Sequence, residues 1–159
     1  MIAQEPGEHP WGNTLRVRAE ILVTGGRTID GFLHLQPLAS IHSGPETPED
    51  ALNRHESFVP VTSDNRTLFI AKNQILAVTV RTPLPTNDVD RVEAARTLGM
   101  QLELSDGTGF VGAVTTELPP DRARVLDFLN HADGFFCLVD QDAMRFVNRV
   151  HVRLVTPLD

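Results

Sequence analysis

The chain repeats itself. The segment Ala19 to Val80 returns, loosely rewritten, as Met100 to Pro157. A shift of 81 positions sets Ile21 on Leu102, Val23 on Leu104, Gly26 on Gly107 and Gly31 on Gly112. Beyond the second glycine a shift of 77 aligns better. It sets Asp50, Leu52, Asn53, Phe58, Phe69 and Thr79 on Asp127, Leu129, Asn130, Phe135, Phe146 and Thr156, residue type for residue type. Agreement at both apolar and turn-forming positions predicts two copies of one small fold, at residues 14–80 and 96–159, joined by a linker at 81–95. Each copy has only roughly 60 residues, a size at which one core is marginal, so the copies are expected to lean on each other.

Composition narrows the class. With 41% hydrophobic and 22% charged residues the chain is globular in character. Its net charge is -7, spread rather than clustered, with no basic run for a polyanion to grip. Nucleic acid is therefore an unfavoured partner. The opening residues Met1 to Gly12 carry acids where a signal peptide needs a basic and then an apolar region, and no stretch approaches ~20 apolar residues. The expectation is a cytoplasmic protein with no direct membrane insertion. A single cysteine, Cys137, excludes an intramolecular disulfide and reads as a small buried hydrophobe.

Local patterns give the elements. Leu15, Val17, Ala19, Ile21 and Val23 alternate with mostly polar neighbours, the period of a strand with one buried face. Thr24-Gly25-Gly26-Arg27 turns the chain, and Ile29, Gly31, Leu33 and Leu35 return. Met100 to Leu104, Ser105-Asp106-Gly107-Thr108 and Phe110 to Val114 do the same in the second copy. Gly31 and Gly112 fall at the same point of their strands, where a missing side chain permits a bend or bulge.

Next comes a short helix, begun by Thr47, Pro48, Glu49 and Asp50 in one copy and formed by Val125, Leu126, Phe128 and Leu129 in the other. Three strands close each copy, with Phe58 and Phe135 read as core anchors. Residues 1–13 are expected to form a flexible arm, with Trp11 either packed on the body or anchoring a partner. The segment 89–98 fits helix or strand.

Two motifs carry a resemblance: the paired Gly-x-x-x-x-Gly at Gly26 to Gly31 and Gly107 to Gly112, and the closing Phe-Ile-Ala-Lys-Asn-Gln-Ile at Phe69 to Ile75. With five short strands per copy, the chain resembles the SH3-like and Sm-like small barrels, in a tandem-duplicated form such as a bacterial family would carry. The resemblance implies a mainly β fold of two five-stranded barrels, each with a short helix between its second and third strands. Sm-like proteins bind RNA through an Asp/Asn loop after the second strand and a basic-glycine pair in the last hairpin. Here Asp50-x-Leu52-Asn53 lies on a helical segment well beyond Gly31, Lys72 is followed by Asn73 and Arg149 by Val150.

No reaction chemistry stands out. The six histidines, His9, His34, His42, His55, His131 and His151, show no metal-ligand spacing and read as surface residues. Glu49-Asp50 reads as a helix start, Asp140 with Asp142 as a solvated turn, and no phosphate-binding loop or nucleophile elbow is present. No catalytic, cofactor-binding or metal residue is assigned, and no cofactor is expected. The matched Asp50, Asn53, Asp127 and Asn130 read as helix start and stop, or else as a related pair of recognition sites. The expected function is a non-enzymatic protein-interaction or scaffold and assembly module, holding a protein partner or associating with itself. The alternatives are a nucleic-acid-binding Sm-like protein and a small-ligand sensor.

Overall fold

Strand-period alternation and turn chemistry govern most of the chain. A computed structural model describes residues 14–37, 44–81, 96–117, 119 and 124–158. The arm with Trp11, most of the linker, His9 and His42 lie outside the described residues, as do residues 89–95 of the undecided segment. In the first half the elements are β1 (Leu15–Val23), β2 (Arg27–Leu35), α1 (Pro48–Asn53), β3 (Phe58–Ser63), β4 (Arg66–Ala71), a 3-10 turn at Lys72–Gln74 and β5 (Ile75–Val80). The second half gives β6 (Arg96–Leu104), β7 (Gly109–Thr116), α2 (Val125–His131), β8 (Phe135–Val139), β9 (Met144–Asn148), a 3-10 turn at Arg149–His151 and β10 (Val152–Leu158). Residues 96–98 are thus strand.

The fold is mainly β, with a short helix between the second and third strands of each half. Among the described residues ten strands form one antiparallel sheet in the order β10-β6-β7-β8-β9-β5-β1-β2-β3-β4, ending at β10 and β4. Within it the orders β5-β1-β2-β3-β4 and β10-β6-β7-β8-β9 are the same. Registers repeat as well. Ile21 faces Val78 as Leu102 faces Val155, and Pro60 faces Phe69 as Cys137 faces Phe146. Even the irregularity recurs: Leu76 is skipped where β5 meets β1, and Arg153 where β10 meets β6.

Gly31 and Gly112 show why this geometry needs glycine. A Cβ on Gly31 would stand 2.6 Å from the Thr62 carbonyl oxygen, and one on Gly112 2.7 Å from that of Val139. The second strand of each half passes so close to the third that backbone occupies the side-chain space. The cause is close approach rather than turn geometry.

Two apolar clusters fill the interior. One gathers Ile21, Leu33, Leu52, Val61, Ile75 and Val78 of the first half, and also takes in Phe135 and Phe146 of the second. The other gathers Met100, Leu102, Leu104, Val114, Phe136 and Leu138, and takes in Leu76 and Ala77 from the first. Each half completes the other's core. Each large side chain so exchanged contributes about 1.5–3 kcal/mol of burial.

Two sequence readings change here. Phe58, read as a core anchor, is 57% exposed, whereas its match Phe135 is 5% exposed and anchors the core as expected. His34, read as a surface residue, is buried. The alternation that places Leu33 and Leu35 in the core turns His34 to the other face of β2, where it meets Thr14 and Thr62 of β3.

Candidate functional site

Two regions have the shape or exposure to bind something. The first is a cleft of about 220 Å³ in the first half, lined by Thr14, His34, Gln36, Arg54, Phe58 and Lys72 among others. The His34 ring lies with Nε2 2.8 Å from Thr62 Oγ1 and Nδ1 3.2 Å from Thr14 Oγ1. The buried Glu46 carboxylate accepts from the Gln36 backbone N–H at 3.0 Å and stands 3.4 Å from Arg54 Nε. Lys72 Nζ donates to the Arg54 carbonyl at 2.9 Å, and burial holds its ammonium pKa below the usual value, with Glu56 and Glu46 opposing. These bonds tie the loop before α1 to the end of β2, and the turn after β4 to the end of α1. The cleft's polar groups are structural ties. Among the described residues no three His, Cys, Asp or Glu side chains group to hold a metal ion.

Burial disfavours nucleophilic chemistry at Cys137. It packs against the first core cluster, and burial pushes its thiol up to about 12, so the reactive thiolate is suppressed near neutral pH.

The second region is the junction between the halves, together with the two strands that end the sheet. At the junction β5 pairs with β9 antiparallel, placing Ala77 opposite Val147, Val78 opposite Phe146, Thr79 opposite Arg145 and Val80 opposite Met144. Side chains brace this ladder. Asn53, at the end of α1, receives the Phe135 N–H at 2.7 Å and donates to the Phe135 carbonyl at 2.9 Å, a two-point clamp on β8. Asn148 Nδ2 donates to the carbonyls of Ile75 at 3.0 Å and Lys72 at 3.3 Å. His151 Nε2 lies 2.7 Å from the Asn73 carbonyl oxygen, where it donates as the Nε2–H tautomer. Arg145 bonds Asp140 and lies over the Phe110 ring at 4.8 Å, while burial and the nearby Arg81 lower its pKa against the pull of Glu20.

At each end of the sheet the last strand pairs on one side among the described residues. β4 pairs only with β3, and β10 only with β6, among the described residues. Phe69 on β4 is 65% exposed, while its match Phe146 is 2% exposed. Leu154 on β10 is 62% exposed, while its match Ala77 is 1% exposed. Exposed edge strands are usually blunted by charge or proline. Here Arg66, Arg153 and Pro157 supply some of that, yet Phe58, Phe69, Leu154 and Leu158 remain exposed.

Of the residues singled out in the sequence, Asp50 does start its helix. It accepts from the Thr47 N–H at 2.9 Å and donates its own N–H to Thr47 Oγ1 at 3.1 Å. Asp127 accepts from Arg124 at 3.0 Å. Asn53 does something the sequence did not reveal, because its partner lies in the other copy, 82 residues away. Asn130, like Asn53, is exposed as a residue, but only Asn53 is seen bonded to the other copy. His55 and His131 are exposed too. Comparison with protein-family models, with curated proteins and with solved structures finds no match to this chain.

Proposed function

We propose that this chain is a non-enzymatic assembly module, built of two small SH3/Sm-like barrel lobes, that holds a protein partner by strand pairing at its open sheet edges. The observation that carries this reading is the exposure of Phe69 on β4, the strand that ends the sheet among the described residues, and of Phe58 on the adjoining β3. An extended segment laid along β4 gains main-chain hydrogen bonds from the ladder and side-chain contacts from these rings. Contiguous exposed apolar surface of this kind marks interaction sites on folded proteins. The cleft beside His34 is lined by Phe58 as well, so a partner on β3 and β4 also meets this cleft. The suppressed Cys137 thiol and the mutually tied polar groups of the cleft favour binding over catalysis.

The test is the size of the complex that a tagged chain enters in extract of its native cells. Native electrophoresis is expected to show it well above the monomer, and Phe69→Glu to return it to monomer size with unchanged circular dichroism. A wild-type chain that migrates as a monomer sinks the reading.

A further inference from the structure

We infer that the cleft beside His34 binds a small organic acid with a single carboxylate, held by Lys72 and Arg54, its apolar body lying on Phe58. The inference goes beyond the assembly reading and does not rest on it. Four pieces of the chain meet at this cleft: His34 near the end of β2, Arg54 where α1 stops, Phe58 at the start of β3 and Lys72 in the turn after β4. Each is fixed before any ligand arrives. The Glu46 carboxylate accepts from the Gln36 backbone N–H at 3.0 Å, the Lys72 backbone N–H donates to the Ser57 carbonyl at 2.8 Å, and Lys72 Nζ donates to that of Arg54 at 2.9 Å. A site held in place this way loses little freedom on binding.

These ties leave donors over. An ammonium has three N–H donors, and Lys72 uses one on the Arg54 carbonyl. A guanidinium has five, and Arg54 stands 3.4 Å from Glu46 through Nε, which is buried and completes no hydrogen bond among the described residues. Burial and the neighbouring Arg54 lower the Lys72 pKa, against the pull of Glu56 and Glu46, so two cations share half-buried surroundings. Of the two carboxylates that act on Lys72, Glu46 is buried against Arg54, whereas Glu56 is exposed, 3.6 Å from His55, and screened by water. Arg54 and Lys72 against Glu46 leave one positive charge inside, which a monoanion matches and a phosphate dianion exceeds. The rest of the lining is apolar, with Phe58, Pro60 and Ala51. At about 220 Å³ the cleft is smaller than the ~300–1,000 Å³ usual for drug-sized ligands, so the acid is small.

One ligand binds per chain. In the second half Arg54 is matched by His131, and Phe135, the match of Phe58, is buried with its backbone bonded to Asn53. Where Phe58 lines a cleft, its counterpart is sealed under the neighbouring half. The experiment is calorimetric titration of the purified full chain with benzoate and hexanoate, and with benzamide and inorganic phosphate for comparison. Benzoate or hexanoate is expected to bind one to one with a Kd of about 1 mM or tighter. Benzamide, of the same shape as benzoate but uncharged, is expected to bind at least ~10-fold more weakly. Lys72→Gln, with native circular dichroism, is expected to weaken the acid at least ~10-fold. Phe58→Ala, at an exposed site, is expected to weaken benzoate by about 2- to 10-fold. Arg149→Gln, the exposed match of Lys72, is expected to bind as wild type does.

Failure of both acids to bind at ~10 mM overturns the inference. So does benzamide binding as tightly as benzoate, phosphate binding more tightly than either acid, or an unchanged affinity in Lys72→Gln. Should Lys72→Gln not fold, Phe58→Ala decides, and an unchanged benzoate affinity there overturns the site. Loss of binding in Arg149→Gln places the ligand elsewhere and overturns it too. A chain that binds neither acid yet enters a larger complex in extract leaves the assembly reading standing and this one refuted.

Discussion

Strands β9 and β4 carry matched phenylalanines in matched registers, and their surroundings differ completely. Phe146 is sealed against β5 and the first half's core, whereas Phe69 faces outward from the end of the sheet. The same side chain is core in one copy and largely exposed in the other, because among the described residues β9 is paired on both sides and β4 on one. Mutation separates the two directly. Phe146→Ala is expected to destabilise the chain by about 3–5 kcal/mol, through lost burial and the cavity left behind. Phe69→Ala, measured by urea unfolding, is expected to stay within about 0.5 kcal/mol. Equal costs would break the comparison and mean that Phe69 is covered within its own chain.

The asparagines repeat the contrast on a smaller scale. Asn53 binds both the N–H and the carbonyl of Phe135, so Asn53→Ala leaves two part-buried backbone groups without that partner, a cost of about 1–3 kcal/mol. Asn130→Ala removes an exposed side chain and is expected to be neutral within about 0.5 kcal/mol. Amide exchange at Phe135 sharpens the reading. Its N–H should lose protection in Asn53→Ala and keep it in Asn130→Ala.

These contrasts mark what the sequence could and could not disclose. The strands and hairpins were legible because their signals are local: alternation from Leu15 to Val23, the glycine turn at Gly25-Gly26, and Asp50 placed to close a cap with Thr47. The repeat made Phe58 look like Phe135, since matched residues in matched strands share a face. What it could not reveal is which strand gains a neighbour. That depends on β5 and β9 meeting across the junction, a contact between positions about 70 residues apart with no motif of its own. His34 escaped for a related reason. A polar residue in an alternating strand reads as the wet face, and only packing of β3 and Thr14 against β2 covers it. For the site, the sequence disclosed the strands and their hydrophobes but not which strands end the sheet or which side chains stay exposed.

The smallest test concerns the two helices. Thr47 caps α1 through its hydroxyl, reciprocated by Asp50, and α1 packs against β8 across the junction. The matching position at the start of α2 is Arg124, which makes no capping hydrogen bond and instead holds Asp127 in an exposed ion pair at 3.0 Å. Thr47→Ala is expected to cost about 1 kcal/mol, the usual loss on removing a cap. Arg124→Ala removes only a surface pair and is expected to cost about 0.5 kcal/mol or less. Thermal unfolding of both variants at low concentration reads the difference. The asymmetry follows from the junction: α1 must hold Asn53 against Phe135 and is fixed at its start, whereas α2 shows no such clamp among the described residues.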